Sequence, residues 1–210
     1  MQVEAAALTV EEVTDTELSR RELSADRSLV VRAKAGETKA FDELLLRYQR
    51  QVLGTALRLL ANTDDARDAS QEVFLRFFRH LRTLDPDRAL APWLYRVTVN
   101  VCRDFGRRRK GRDFQVDLDW ADVSAGAGPG AEDVDRRLIL SEEWRVLQQA
   151  LAALPEKERA AIILRDIEDL ETREVARILG TSEVTVRSQV SRARLKIKLH
   201  MERVLDRRGQ

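Results

Sequence analysis

From about Asp26 onward, apolar residues recur three and four positions apart, and little in the sequence interrupts them. That period matches the 3.6-residue turn of an α-helix, not the two-residue repeat of a strand. The 210 residues include only 9 Gly and 4 Pro, too few turn-formers for a fold of many short strands. The expected fold class is therefore all-α. A first helix carries Leu29, Val30 and Ala33 and stops near Gly36. Thr38 is the expected N-cap of the next, which carries Phe41, Leu44, Leu45, Tyr48, Val52, Ala56 and Leu59. Asn62-Thr63-Asp64 supplies a break and a cap before the stripe Ala66, Ala69, Val73, Phe77 and Leu81, which Leu84-Asp85-Pro86 ends. Pro92 suits the first position of a helix that turns Trp93, Leu94, Val97 and Val101 inward.

A second helical series begins with Leu140, Trp144, Leu147, Leu151 and Leu154. Pro155 opens the following helix, with acids in its first turn and Ala160, Ile163, Leu164, Ile167 and Leu170 on its face. A short helix over 172–179 and a long one capped by Ser182 complete the chain. Between the two series, residues 113–135 contain Ser124-Ala125-Gly126-Ala127-Gly128-Pro129-Gly130 flanked by acids, a composition that cannot bury enough apolar surface to order itself. The expected organisation is two helical domains, 27–112 and 137–203, joined by a flexible acidic linker over 113–136. An acidic extension, 1–26, precedes them, with a short helix near Thr16 to Leu23; a tail over 204–210 follows.

The net charge of +1 conceals blocks of one sign. Met1–Asp26 carries −5, Arg103–Arg112 +5, Asp113–Asp135 −7 and Thr185–Lys198 +5. One such block is as readily a solvated face as an interaction segment, but two basic blocks around an acidic spacer are harder to dismiss. Cys102 is the single cysteine, so an internal disulfide and a cysteine-rich zinc site are excluded; a small buried hydrophobe is the simpler reading of it. His80 and His200 have no partners at ligand or triad spacing, and no glycine-rich phosphate loop appears. Hence no catalytic residue, metal site or cofactor is expected, and the chain reads as a non-enzyme. No secretory signal and no apolar run of membrane-spanning length is present, so no membrane insertion is expected and the location reads as cytoplasmic.

The most specific local pattern runs from Leu170 to Val190. It has the parts of a helix-turn-helix: small Ala176 where the helices cross, Gly180 where the turn needs a positive φ, and Val186 facing the first helix. The second helix then offers Arg187, Ser188, Ser191 and Arg192 on one face, side chains suited to base edges in the major groove. Arg194, Lys196 and Lys198 extend the basic character toward phosphates. The other basic block, Arg103–Arg112, follows a helix with Trp93, Tyr95, Arg96 and Asn100, a mixture of aromatic, amide and cation that suits unstacked bases. Trp93 is as well explained as core. On pattern alone Asp65, Asp68, Gln71, Glu72, Arg76 and Arg79 form a solvated helix face.

The stretch Asp65–Arg79, with its Gln71-Glu72-Val73-Phe74 run, resembles region 2 of bacterial RNA polymerase sigma factors. Pro92–Asn100 is similar to the next part of that region. Leu154-Pro155-Glu156-Lys157-Glu158-Arg159 and the helix-turn-helix resemble region 4. The regions found only in large housekeeping factors have no counterpart, so the likeness is to the extracytoplasmic-function group. The resemblance covers roughly 27–112 and 137–203. It implies a factor that binds core RNA polymerase and directs promoter-specific initiation by reading the minus-ten and minus-thirty-five elements.

Carried over by residue, the resemblance makes Asp68, Gln71 and Glu72 the surface for the clamp helices of the largest polymerase subunit. It makes Tyr95, Arg96, Asn100, Arg103, Arg107 and Arg108 the minus-ten contacts, and Arg187, Ser188, Ser191 and Arg192 the minus-thirty-five contacts. The second domain would meet the flap of the second-largest subunit, and the acidic linker would thread toward the active cleft and RNA exit channel. An anti-sigma factor is the further partner the family implies, with a nucleoid-associated location when polymerase is bound. The 1–26 extension has no counterpart. The alternative, a stand-alone helix-turn-helix regulator, leaves the Gln71-Glu72 face and the 103–112 basic run unexplained.

Overall fold

The computed structural model describes residues 24–109 and 142–206, and all regular structure in them is helical. The expected helix near Thr16 to Leu23 and the linker over 113–136 lie outside these residues. Helix α1 spans 24–34 and turns at Gly36, whose φ of 97° favours glycine. Helix α2 is Thr38–Leu60. Its N-cap is Glu37 rather than Thr38, and no side-chain cap bond forms. The Glu37 carboxylate instead takes the Arg32 guanidinium, tying the end of α1 to the start of α2. Asn62 caps α3, Thr63–His80, by accepting the Asp65 amide at 2.8 Å. Asp64 and Asp65 add negative charge where the helix dipole is positive.

After a 3-10 turn, Leu81–Thr83, α4 runs over Leu90–Arg109. Pro92 is its third residue, not its first. The exchange costs nothing, because no N–H of the first turn has an intrahelical partner. Helix α5 is Glu142–Ala152, and α6 is Glu156–Ile162 with Pro155 as its N-cap. Helix α6 continues into a π-helical turn, Ile163–Ile167. Helix α7 is Thr172–Leu179 and α8 is Glu183–Asp206. Between them Gly180 takes φ 65°, and the Ser182 hydroxyl accepts the Thr185 amide at 3.2 Å. The turn chemistry expected from Gly180 and Ser182 is thus the turn observed.

Helices α1 to α4 enclose one core, in which Leu44, Val73, Phe77, Leu94 and Val101 are buried. Phe77 lies at its centre, with ring centroids 5.2 Å from Phe41 and 5.9 Å from Trp93. Helices α5 to α8 form the second assembly, around Leu151, Ile163, Leu164, Val175, Val186 and Ala193. Gln148 is buried beside Val146, Ala150 and Leu151, because α5 is covered by α2 on one side and α8 on the other.

The two assemblies also pack on each other, a feature absent from the picture of modules joined only by a linker. Tyr95 and Val99 of α4 lie in one apolar cluster with Val175 and Ala176 of α7. Ala91, Tyr95 and Val99 stand four residues apart and make a second apolar stripe on α4. Arg159 of α6 donates to the Leu59 carbonyl of α2 at 2.7 Å, and to the carbonyls of Ala152 and Leu154 at 3.0 Å each. Burial lowers its pKa, while these carbonyls take both Nη groups and the buried Nε is left without a partner among the described residues. Phe77→Ala removes the ring that α2, α3 and α4 share; urea unfolding should register a loss of about 3–5 kcal/mol, and an unchanged midpoint would contradict a filled core there.

Candidate nucleic-acid interface

The helix-turn-helix places its expected reading residues as a group. Val186, Val190 and Ala193 face inward, and that inward row leaves Arg187, Ser188, Ser191 and Arg192 exposed on the other side of α8. The cations on this helix are paired with nearby acids. Arg187 contacts Glu183 at 3.2 Å, and Arg192 contacts Glu158 at 3.5 Å. Lys196 reaches Glu158 at 2.7 Å, and Arg194 makes a two-pronged contact with Asp166 at 2.7 and 2.8 Å. Glu158 and Asp166 were not singled out in the sequence, since their partners lie 28 to 38 residues away.

Helix α4 arranges its candidates differently. Arg96, Asn100, Arg103 and Arg107 follow one another at i, i+4, i+7 and i+11 and so share a face. Arg96, Asn100, Arg107 and Arg108 are exposed. Arg103 is half-buried and reaches Glu156 at 3.2 Å. Tyr95 stands apart from this group, with only 4% of it exposed. Its hydroxyl accepts from Gln51 and donates to Glu168 at 2.8 Å. Burial, then the Glu168 carboxylate, pushes the phenol far above its usual pKa. Trp93 is half-buried against the first core, as its core reading expects.

On α3, Asp68 and Gln71 are exposed and Glu72 is half-exposed, bonded to Arg76 at 2.7 Å. The same face continues into Leu75 and Phe78, 50% and 61% exposed. Contiguous exposed apolar surface rimmed by polar side chains is one mark of a protein-docking surface. Sequence reading passed them over because Leu75 and Phe78 flank the true core residue Phe77.

The third arrangement joins the assemblies. Glu168, just beyond the π-helical turn, receives Thr55 Oγ1 and Arg58 Nη1 at 2.8 Å each on one oxygen, and Tyr95 Oη on the other. Its side chain is 10% exposed. Nothing in the sequence marks it, because its partners are 73 to 113 residues distant. Among the described residues no group of His, Cys, Asp and Glu could hold a metal ion, and no helix is long and apolar enough to cross a membrane.

Residues 44–112 match the family model for sigma-70 region 2, and residues 144–197 match that for sigma-70 region 4. The chain is 33% identical over 173 residues to the RNA polymerase sigma-H factor of Pseudomonas aeruginosa, covering 80% of this chain and 90% of that factor. It is 34% identical over 174 residues to the ECF RNA polymerase sigma-E factor of Escherichia coli K12, with the same coverage. Among solved structures, CnrH bound to the cytosolic domain of CnrY matches with a TM-score of 0.63 at 26% identity, over 85% of this chain and 97% of that one. RpoE of Bartonella quintana, bound to the anti-sigma factor NepR, shares the fold at the same TM-score and 23% identity, over 78% of this chain and 98% of that one.

The chain therefore belongs to the sigma-70 family of RNA polymerase sigma factors, in its extracytoplasmic-function group. Its function is that of a promoter-directing RNA polymerase sigma factor.

One measurement checks the packing of α4 directly. Cys102 is 4% exposed, and burial pushes its thiol up to about 12. Since the thiolate is the reactive form, the native chain at pH 8 should react with an aromatic disulfide reagent at least about a hundredfold more slowly than the urea-unfolded chain. Equal rates would put the thiol at the surface.

Proposed function

We propose that the three surfaces divide the work of initiation. Asp68, Gln71 and Glu72, extended by Leu75 and Phe78, dock on the clamp helices of the largest polymerase subunit. Arg96, Asn100, Arg103, Arg107 and Arg108 engage the minus-ten element, Arg96 and Asn100 toward bases and the distal arginines toward phosphates. Tyr95 joins them only if its present partners release it. Arg187, Ser188, Ser191 and Arg192 read the minus-thirty-five element from the major groove. The units are residues 27–112 and 137–203, and the second also meets the flap of the second-largest subunit. An anti-sigma factor is a further partner; CnrH and the Bartonella RpoE were solved with CnrY and NepR. The role is non-catalytic and cytoplasmic.

The observation that carries this reading is the α8 face, where four polar or cationic side chains converge outward behind a glycine turn and a serine cap. An arginine bidentate to guanine is worth about 1–3 kcal/mol of discrimination. In transcription with purified core polymerase, Arg187→Ala or Arg192→Ala should cut output from promoters with an intact minus-thirty-five element about tenfold or more, without weakening core binding. Gln71→Ala with Glu72→Ala should weaken core binding and reduce all promoters alike. Promoter-specific loss from the α3 pair, or core-binding loss from the α8 variants, would contradict the division.

A further inference from the structure

Not every exposed residue on the outer face of α8 is polar. Val184 stands in the first turn of the helix and is 71% exposed, more than any other large apolar side chain among the described residues. Packing does not account for it. The apolar clusters of the fold take Val186, Val190 and Ala193 from this helix, and not Val184. Helix propensity does not account for it either, because branching at Cβ makes valine a poorer helix former than alanine.

The helical period puts Val184 among the candidate reading residues. Ser188 and Ser191 follow it at four and seven positions, and Arg187 and Arg192 flank that row, so Val184 lies near the middle of the strip opposite Val186, Val190 and Ala193. Arg187 is held at the edge of the strip by Glu183, 3.2 Å away. The serines are short and leave the valine methyl groups open to whatever meets the strip.

Leu195 and Leu199 are also exposed on this face, 58% and 43%, but they stand elsewhere along the axis. Leu195 is 11 residues further on, roughly 16 Å at about 1.5 Å per residue, which takes it past a major groove about 12 Å wide. A recognition helix meets base edges with its N-terminal residues. Of the three apolar side chains, Val184 is therefore the one that enters the groove beside Arg187 and Ser188.

The major groove presents one apolar group, the C5-methyl of thymine; its other recognition features are hydrogen-bond donors and acceptors. Valine can satisfy none of those, and one covered by it would lose its water and gain no partner. We infer that Val184 is a specificity-determining residue that selects thymine in the minus-thirty-five element through its C5-methyl group, an inference that rests on the assignment of the α8 face to that element. The arginines then select guanine and the valine thymine, from one strip of one helix.

The test uses holoenzyme formed from the full chain and core polymerase. It selects from duplex promoter fragments randomised across the upstream element, and the recovered site is resynthesised with deoxyuridine, which lacks only the methyl group, in place of each thymine in turn. The parent should enrich a thymine whose replacement by deoxyuridine weakens holoenzyme binding about fourfold, the worth of one methyl group withdrawn from water. Val184→Ser and Val184→Asn should bind the two duplexes alike, and Val184→Thr, which keeps one methyl group, should retain part of the difference. These residues match valine in helix propensity, and circular dichroism checks that the fold is kept. Arg187→Ala should lose a guanine preference and keep the deoxyuridine effect. Equal binding of both duplexes by the parent, or a deoxyuridine penalty that survives undiminished in Val184→Ser, would overturn the thymine assignment while guanine selection through Arg187 stood. Recovery of no upstream sequence by the parent would contradict the assignment of the α8 face itself, and that of Val184 with it.

Discussion

Helix α4 is buried on two sides, and much of the molecule's arrangement follows from that. One side sends Leu94, Val101 and Cys102 into the first core; another sends Tyr95 and Val99 into the second. What remains is a narrow polar strip, and the strip carries Arg96, Asn100, Arg103 and Arg107. A helix with two apolar faces cannot wander in orientation, so the strip is held by packing on both flanks. The same packing draws Tyr95 out of solvent and into hydrogen bonds with Gln51 and Glu168.

The charge pattern has a consistent logic in three dimensions. The cations of α8 are matched by carboxylates within reach, among them Glu183, Glu158 and Asp166. Exposed pairs of this kind contribute little to stability. They hold long side chains near a useful geometry, and phosphates can replace them with release of counterions from the duplex. The near-zero net charge of the chain is thus compatible with strong local attraction for DNA. Glu158 differs from the others because it is buried, 8% exposed, and faces both Arg192 and Lys196, so the base of the recognition helix is fixed to α6.

Much of the fold was legible in the sequence because its signals are local. Asn62, Gly180 and Ser182 act within four residues of themselves, and the apolar stripes of α2, α3 and α8 need only the helical period. The misplaced boundaries at Thr38 and Pro92 have a shared cause: the residue types tolerated at N-cap and first-turn positions overlap, and neighbouring backbone decides between them. The π-helical turn at Ile163–Ile167 had no composition to announce it. The union of the halves left one trace, the Ala91, Tyr95, Val99 stripe, which reads as part of a single broad apolar face until Leu94 and Val101 are assigned to the other side. Glu168 left none, since a carboxylate with partners beyond 70 residues looks like any charged residue in a loop. Of the candidate site, the α8 and α3 residues emerged exposed and grouped, whereas Tyr95 and Arg103 proved to be shared with the other half of the chain.

The account's central claim is that α4 is clasped between the two halves of the chain, by the first core on one side and by α7 on the other. The direct measurement is the distance between fluorophores at the exposed positions Arg88 and Glu202, each replaced by cysteine in a Cys102→Ser background. The distance should be short and narrowly distributed in the free chain. A long or broadly distributed distance would contradict the account.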